Sequence, residues 1–401
     1  MIRLYDFDEV RPEEILNRDI RAEADVEATV DAIIADVRAR GDAALIEYAA
    51  KFDHAELTDV RVSQEEIDEA FAELEKTDPE FITTLKMAAE NIRHFHEQQL
   101  HKNFVVNDRP GIVLGQKYTP IQRAGVYVPG GTAAYPSTVL MDVIPAKVAG
   151  VDEIYKSGGA QAIAAMALGT ESIEPVQKIV GPGNVFVTGA KMMLRNTVDI
   201  DFPAGPSEIG VLADETAVPE YVASDLIAQA EHDPSSASLL VTSDPDLPDR
   251  IWEIMEGMIE KAPRREIIEK AINNSGYIIA EDMDLAIEIM NGIAPEHLSI
   301  QVRDPLDVLG KVRNGGSIFV GPYTPVAAGD YASGTNHVLP TSGHASTCSG
   351  LNIHHFMKTS TVQMLSKEGL AVLAPTIETL ATAEGLHAHC ESVKIRKPEE
   401  E

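Results

Sequence analysis

The sequence predicts an α/β protein: two Rossmann-like, incomplete doubly wound α/β domains, with short helical segments at the N-terminal and C-terminal ends. Three observations predict this class. The chain has 401 residues, enough for two or three domains. Strand-like apolar runs alternate with helical patterns in two blocks, one after about residue 110 and one after about residue 207, which is typical of parallel βαβ units. The ends of the chain follow helical patterns without such alternation.

The N-terminal quarter predicts a layer of helices behind a short charged segment, residues 1–23. Apolar residues recur at spacings of three and four in VEATVDAIIADVRAR, and this pattern stops at Gly41. Ser63 and Glu66 form a capping box, in which each side chain bonds to the other residue's backbone amide at a helix start. A long helical pattern, PEFITTLKMAAENIRHFHEQQL, closes the layer near residue 100.

Strands and helices then alternate along the chain. The first block has strand-like runs in GIVLGQKYTPIQRAGVYV, EIY and KIV, and helical patterns in TVLMDVIPAKVAG, AQAIAAMAL and VFVTGAKMML. The second block has strands in GVLAD, SLLVTS, GYIIA, LSIQV and SIFVG, with helices predicted at 218–231, 247–260 and 283–291. The tail from residue 352 is predicted to be mostly helical.

The composition excludes several classes of protein. Sixty-four Asp and Glu against thirty-three Lys and Arg give a net charge of −31, so we expect neither a nucleic-acid nor a membrane partner. With only two cysteines, Cys348 and Cys390, a disulfide framework and a cysteine-rich zinc module are excluded. The N-terminus lacks an apolar signal core and no apolar run could span a membrane, which predicts a soluble, cytoplasmic protein.

Three glycine turns in the first block each stand between a strand-like run and a helix: Gly130-Gly131, Gly158-Gly159 and Gly181-Pro-Gly183. Glycine lets the backbone approach a ligand closely, and a helix N-terminus favours anions. Such turns at one edge of a parallel sheet would line a nucleotide crevice. Because no G-x-G-x-x-G is present, tight turns without a ligand remain the alternative.

A second candidate site begins with Gln229-Ala-Glu-His232, where an apolar helical run ends before Asp-Pro. Residues three apart share a helical face, so Gln229 and His232 point the same way. Alone, the pattern favours a solvated helix end over two metal ligands. With Asp330 and a late histidine it makes a mixed nitrogen and oxygen set, which zinc accepts.

Other polar residues are candidates for acid–base chemistry. Glu296 and His297 precede the strand LSIQV; a histidine accepts a proton near neutral pH and a glutamate activates water, although a surface pair is the alternative. Residues 329–346 form a long polar stretch that contains Asp330 and His337, and such loops are often functional. A late EGLHAH stretch could equally be a solvated helix.

Taken together and in order, these motifs resemble those of histidinol dehydrogenases: YVPGGTAAYPSTVLM, GGAQAIAAMALGTE, GPGN, PAGPSE, DLIAQAEHDP, PEHL, GDYASGTNHVLPTSG and EGLHAH. The resemblance runs from about residue 25 to the C-terminus. It implies an enzyme with one Zn²⁺ per subunit that oxidises L-histidinol to L-histidine through L-histidinal with two NAD, the last step of histidine biosynthesis. It also implies a homodimer with a shared active site.

The resemblance further implies roles for the residues that match family motifs. The zinc ligands would be Gln229, His232, Asp330 and His389, the last supplied by the partner subunit. The catalytic pair would be Glu296 and His297. Ser207, His337 and Glu384 would contact the substrate, together with His297 and the zinc ligands. Tyr127, Gln161 and Asn184 would contact NAD.

The implied mechanism divides the work between two residues. Zinc would hold the amino and imidazole nitrogens of the substrate and so orient its alcohol carbon. His297 would take the hydroxyl proton, and Glu296 would then activate a water that attacks the aldehyde. A site shared across the dimer would protect the aldehyde from bulk water.

One stretch departs from the family pattern. The family usually has a further strand and helix in its NAD domain where, in this sequence, Ile154 runs directly into Tyr155. The loss could shift the glycine turns. Two alternatives therefore stay open: a related NAD-dependent amino-alcohol or polyol dehydrogenase, and a zinc-binding homologue with impaired NAD binding.

We predict the following division of the chain. Residues 1–23 form an N-terminal segment. Residues 24–126 together with 207–351 form the α/β domain with the zinc and catalytic residues. Residues 127–206 form the NAD-binding α/β domain, and residues 352–401 form a C-terminal domain that reaches the partner subunit.

Overall fold

The structure is a computed structural model that describes residues 3–5, 24–129, 135–151, 153–155, 158–203 and 205–397. The chain forms two compact units. The first contains residues 1–98 together with 122–356, and the second contains residues 99–121 together with 357–401.

The described residues form helices and strands with the following bounds. The helices are α1 (Ala24–Arg40), α2 (Asp42–Tyr48), α3 (Gln64–Thr77), α4 (Pro79–Glu97), α5 (Pro136–Ala149), α6 (Gly159–Leu168), α7 (Val185–Leu194), α8 (Pro219–Ala230), α9 (Leu247–Ile259), α10 (Arg265–Ile272), α11 (Met283–Ile293), α12 (Pro305–Leu309), α13 (Val326–Tyr331), α14 (Lys367–Ala383) and α15 (His387–Lys394). The strands are β1 (Arg3–Leu4), β2 (Phe104–Arg109), β3 (Ile112–Pro120), β4 (Arg123–Val126), β5 (Glu153–Tyr155), β6 (Lys178–Val180), β7 (Asp199–Ile200), β8 (Glu208–Ala213), β9 (Ala237–Thr242), β10 (Gly276–Ile279), β11 (His297–Gln301), β12 (Ser317–Val320) and β13 (Met357–Leu365).

The larger sheet of the first unit has six parallel strands in the order β1-β10-β9-β8-β11-β12. Every residue of β8, β9 and β11 is buried, which explains why these strands read as continuous apolar runs and not as alternating ones. Helices α8, α9 and α10 pack on one face and α11 on the other. The winding direction reverses between β8 and β11, as in doubly wound folds.

The smaller sheet has four parallel strands in the order β5-β4-β6-β7. Its winding direction reverses between β4 and β6. Helices α1, α6 and α7 share one apolar core with β6, in which Ile33, Ile163 and Ile179 are buried.

This packing corrects two predicted domain bounds. Helix α1 and strand β4 lie with the four-stranded sheet, although residues 24–126 were assigned to the other domain. Within the predicted N-terminal segment, Arg3–Leu4 pair with β10 and extend the six-stranded sheet. The physical reason is that an apolar helix face or a two-residue strand can serve either sheet, so only the tertiary packing decides between them.

The second unit contains a three-stranded antiparallel sheet in the order β13-β3-β2, with α14 and α15. The tail was predicted to be mostly helical from residue 352, and this is wrong for residues 357–365, which pair along the whole of β3. Residues 99–121 also belong to this unit and not to the first α/β domain. Because β13 and β3 are more than two hundred residues apart, the local sequence pattern could not reveal their pairing.

Several local predictions are confirmed. Helix α1 ends at Arg40, and Gly41 follows with a φ of 54°. The capping box is present: the Ser63 side chain accepts from the amide of Glu66, and the Glu66 carboxylate accepts from the amide of Ser63. In the part of the chain that the structure describes, no helix is both long enough and apolar enough to cross a membrane.

Candidate active site

The candidate catalytic residues gather at the amino edge of the six-stranded sheet, not at its carboxyl edge. Ser207 precedes β8 and Glu296 precedes β11, and these neighbouring strands pair with His297 opposite Ile209. Helices α8 and α13 follow strands of this sheet and run back towards the same edge. Their last turns therefore bring Gln229 and Asp330 to the ends of β8 and β11.

A hydrogen-bond network joins Ser207, Glu296 and Gln229. The Ser207 hydroxyl donates to Glu296 Oε2 at 2.6 Å, and the backbone amide of Glu208 donates to the same oxygen at 2.9 Å. Because the Ser207 proton is directed at Glu296, its oxygen accepts from the Gln229 amide nitrogen at 2.7 Å. Burial raises the pKa of Glu296 to about 8, although both donors oppose this rise.

The tautomer of His297 follows from its partner. Its Nδ1 atom lies 3.1 Å from the Glu208 carbonyl oxygen, which can only accept, so the proton is on Nδ1. The Nε2 atom is buried without a hydrogen-bond partner among the described residues and lies 3.8 Å from Asp330 Oδ1. Burial lowers the pKa of His297, while the charge of Asp330 raises it. The ring therefore presents an open lone pair to the site.

One buried atom among the predicted metal ligands is free to bind a metal, namely Gln229 Oε1. Gln229 is buried; its amide nitrogen donates to Ser207, and its Oε1 atom has no hydrogen-bond partner among the described residues. Burial lowers the pKa of His232 to about 4, which leaves its ring neutral, the form that binds a metal. Within the described part of the chain, no three His, Cys, Asp or Glu residues group as a metal site. A metal held by His232 and Asp330 would therefore require further ligands, and the Gln229 amide oxygen could supply one.

Asp330 is fixed through its backbone as well as through its helix. The Nδ1 atom of His337 lies 2.9 Å from the Asp330 carbonyl oxygen, and its Nε2 atom lies 3.2 Å from the hydroxyl of Thr138 on α5. Both ring nitrogens of His337 are thus bonded within the protein. Burial raises the pKa of the Asp330 carboxyl to about 6, and the charge on His297 opposes this.

Asp225 is a residue of this site that the sequence reading missed. It lies on α8 one turn before Gln229 and is buried. Burial raises the pKa of Asp225 to about 6, and the backbone of Val326 opposes this rise. Val326 begins α13, whose own N-cap residue, Pro325, supplies no capping side chain. The signal that could have found Asp225 is its spacing of four from Gln229, which places a carboxyl on the same helical face.

Two predicted site residues lie in the second unit. Glu384 follows α14 and His389 lies in α15, and both side chains are exposed. The first unit therefore gathers the other predicted zinc and substrate residues without them.

The predicted NAD residues lie on turns at the carboxyl edge of the four-stranded sheet. Tyr127 follows β4, and its hydroxyl accepts from the amide of Gly159 at 3.3 Å. Gln161 is buried on the first turn of α6. Asn184 is exposed and caps α7 by accepting from two backbone amides.

Two of the three glycine turns are described, and both lie at the carboxyl edge of the four-stranded sheet, on either side of β4. Gly181 follows β6, has a φ of 112°, and lies so close to Tyr127 that a Cβ would overlap that residue's carbonyl oxygen. Gly159 follows β5, which pairs with β4 on the side away from β6. The predicted Gly130-Gly131 turn lies outside the described residues. The winding reverses between β4 and β6, and Gly181 lies on this side of β4; in doubly wound folds the carboxyl end of the sheet at such a reversal is where ligands bind.

Known proteins resemble this chain over nearly its whole length. The family model of histidinol dehydrogenase matches residues 16–154 and 149–397. The chain belongs to the histidinol dehydrogenase family. Histidinol dehydrogenase of Methanosarcina barkeri is 48% identical over 423 residues, covering 98% of this chain and 97% of that protein. That of Methanothermobacter thermautotrophicus is 47% identical over 425 residues, with 99% of each covered.

A solved structure gives the same result. The crystal structure of histidinol dehydrogenase from Elizabethkingia anophelis superposes with a TM-score of 0.92 at 38% identity, and the match covers 98% of each chain. The chain is therefore an oxidoreductase with the fold of this family.

The comparisons also bear on the departure after Ile154. The family model matches in two pieces that meet at residues 149–154, and the alignment with the Methanosarcina barkeri protein runs over more residues than the 401 of this chain. Relatives thus carry residues that have no counterpart here. The junction falls beside β5, at the edge of the four-stranded sheet.

Proposed function

We propose that this enzyme oxidises L-histidinol to L-histidine through L-histidinal, using two NAD and one Zn²⁺ per subunit, in histidine biosynthesis. The observation that carries the proposal is the buried pairing of two groups with complementary roles. His297 presents an unprotonated Nε2 atom, and Glu296 lies beside it with its carboxyl held by two donors. A base and a water-activating carboxyl are the two groups that a two-step oxidation of an alcohol to an acid requires.

The zinc ligands in this chain would be Gln229 Oε1, His232 and Asp330, with His389 from the partner subunit of a homodimer. The unpartnered Gln229 oxygen and the neutral His232 ring support this set. Zinc, when bound, would fix and polarise the substrate as a Lewis acid. Glu384 is proposed to contact the substrate from the partner subunit together with His389.

In the first oxidation, His297 Nε2 takes the hydroxyl proton while the alcohol carbon loses a hydride to NAD⁺. The product is the aldehyde, one NADH and a proton on His297. The lone pair of Nε2 is available because the Glu208 carbonyl keeps the other ring nitrogen protonated.

In the second oxidation, Glu296 takes a proton from a water that attacks the aldehyde carbon. The resulting hydrate loses a hydride to a second NAD⁺ and becomes the carboxylic acid. The raised pKa of Glu296, about 8, matches a group that must both take and release a proton near neutral pH.

The first unit has room for such a substrate beside His232. A cavity of about 330 Å³ is lined largely by apolar side chains of α4 and α5, with Glu231, His232 and Arg264 among its polar groups. Its size is at the lower end of the range for small-molecule pockets, about 300 to 1,000 Å³. We propose this cavity as the path by which L-histidinol reaches Asp330 and His297, in a cytoplasmic enzyme without nucleic-acid or membrane partners.

The decisive experiment counts NADH formed per L-histidinol consumed, with the protein as purified, after chelation, and after zinc is restored. We expect two NADH per substrate, loss of turnover on chelation, and recovery with zinc. One NADH per substrate would exclude the two-step reaction, and turnover that survives chelation would exclude the zinc site.

Turnover of simple diols but not L-histidinol would instead identify a related polyol dehydrogenase. Tight L-histidinol binding with no NAD binding would identify a homologue that has lost the dehydrogenase reaction.

A further inference from the structure

A buried ion pair holds the backbone of Gly181 from both sides. Lys191, on α7, donates to the Gly181 carbonyl oxygen at 3.0 Å and forms an ion pair with Asp201. Asp201, which follows β7, accepts from the Gly181 amide at 2.8 Å through its other oxygen. The two side chains are 5% and 1% exposed, so the pair is almost completely removed from water. Both polar backbone groups of one glycine are therefore bonded to the same ion pair.

A second carboxyl lies beside this pair. Asp142, on α5, is fully buried, and neither of its oxygens has a hydrogen-bond partner among the described residues. Its Oδ2 atom stands 3.1 Å from where a Cβ on Gly181 would lie. Burial, and then the charge of Asp201, raise the pKa of Asp142 far above its usual value. The raised pKa favours the neutral form of Asp142, and Lys191 is ion-paired with Asp201.

The bonds from this pair reach the turn at the point where a ligand would approach it. Gly181 begins the turn that ends at Asn184, and Asn184 caps the helix on which Lys191 lies. The two ends of the turn are therefore linked: Asn184 begins α7, and Lys191 on α7 bonds back to Gly181. We call the bonds from Lys191 and Asp201 to the Gly181 backbone the Gly181 clamp. Bonds from ionised groups hold a backbone turn more firmly than bonds from neutral groups, because ionised groups make stronger hydrogen bonds.

We propose that Lys191 and Asp201 are positioning residues for the turn Gly181–Asn184, and that they keep it in the shape that binds the pyrophosphate-linked cofactor. This proposal rests on the proposed NAD site. Neither side chain touches the cofactor in this scheme; both act through the backbone of Gly181. The clamp would also hold the turn Gly181–Asn184 in place in a sheet whose β5 edge lacks residues that relatives carry.

The test replaces the pair by neutral residues of similar size. Lys191→Met with Asp201→Asn removes both charges together, which avoids leaving one ion buried alone. The matched control is Lys178→Met with Asp199→Asn, since Lys178 and Asp199 form an ion pair between β6 and β7 of the same sheet, at 2.7 Å, and no described bond joins that pair to the turn. Three quantities are measured on full-length zinc-loaded protein: the NAD⁺ dissociation constant, the L-histidinol dissociation constant, and hydrogen–deuterium exchange of residues 178–186.

We expect the Lys191/Asp201 variant to exchange faster at the turn and to bind NAD⁺ about tenfold more weakly, as for a turn that is in the binding shape about a tenth of the time. L-Histidinol binding should not change, and the control should match the wild type in all three measurements. Unchanged exchange at the turn, or equal losses in the control, would overturn the proposal. If wild-type protein binds no NAD⁺, the proposed function fails. The clamp is then judged on exchange alone.

The wild type provides a check that does not depend on a folded variant. The Gly181 amide, bonded to a buried carboxylate, is expected to exchange slowly in the unmodified protein. Fast exchange of that amide would contradict the clamp even if the double variant did not fold.

Discussion

The Nδ1 atom of His297 lies 3.1 Å from the carbonyl oxygen of Glu208, on the neighbouring strand of the six-stranded sheet. Because the register of β8 and β11 sets this contact, the sheet itself selects the ring tautomer. The other nitrogen faces Asp330 with an open lone pair. The candidate catalytic residues stand at the amino edge of the six-stranded sheet, whereas the described glycine turns stand at the carboxyl edge of the four-stranded sheet.

Replacing His297 by Asn should remove the base of the alcohol step. Loss of a general base costs about 10²- to 10⁴-fold in rate, so we expect NADH formation from L-histidinol to fall within that range. Oxidation of added L-histidinal should fall less, because Glu296 remains. Stopped-flow NADH absorbance with each substrate checks this. His344→Asn, at a half-buried position where the ring nitrogen meets only a backbone carbonyl, is the control and should keep normal rates.

Replacing Glu296 by Gln should impair the aldehyde step selectively. The Gln side chain can still accept from Ser207 and from the Glu208 amide, so the fold should be preserved while the proton acceptor is lost. We expect the product to stop largely at the aldehyde, with close to one NADH formed quickly per L-histidinol. Equal losses with L-histidinol and L-histidinal would contradict the division of roles between Glu296 and His297.

Asp225→Ala should weaken zinc binding without touching a ligand. The change removes a buried carboxyl that interacts with the backbone of Val326 at the start of α13, the helix that carries Asp330, and a lost side-chain cap at a helix start costs about 1 kcal/mol of stability. Asp225→Asn retains an acceptor for the Val326 amide and should recover most of the loss. Zinc dissociation constants from chelator competition, together with thermal melting, distinguish the two variants. Equal zinc affinity in both would show that the cap does not position Asp330.

Asp142→Asn should stabilise the protein at neutral pH. Burial raises the pKa of Asp142 in the folded state, so the folded protein holds a proton there that the unfolded chain releases above pH 4. Folding stability is therefore lost as the pH rises from the unfolded pKa towards the folded pKa. We expect the Asn variant to melt a few degrees higher at pH 7 and the difference to vanish near pH 4. A lower melting temperature at pH 7 would show that Asp142 is ionised and paired.

Strong local patterns allowed much of the fold to be predicted from the sequence. The helix pattern VFVTGAKMML matches α7 over its whole length, and the apolar run SLLVTS covers most of β9. Several elements were missed, and for two of them, β7 and β13, the reason is clear. β7 has only two residues, and β13 is largely exposed and polar, so it lacks the apolar run that marks a buried strand.

For the site, the sequence supplied the reactive residues but not their surroundings. Ser207, Gln229 and Glu296 form one hydrogen-bonded cluster, and His297 lies beside it, as the motifs together suggested. Thr138 could not be singled out, because a buried Thr within a helical pattern has no local mark of its partner. The same holds for Lys191, whose ion-pair partner is Asp201, ten residues away.

The sequence by itself determined the alternating α/β class, the family, and which residue types are available for proton transfer and metal binding, because these depend on periodicity and on motifs that lie within short stretches. Only the tertiary structure decided which sheet holds α1, that Arg3–Leu4 extend the larger sheet, and that β13 pairs with β3. It also decided which nitrogen of His297 is open, and that Gly181 is held by a buried ion pair. These features depend on contacts between residues from separate elements, and such contacts exist only once the chain has packed.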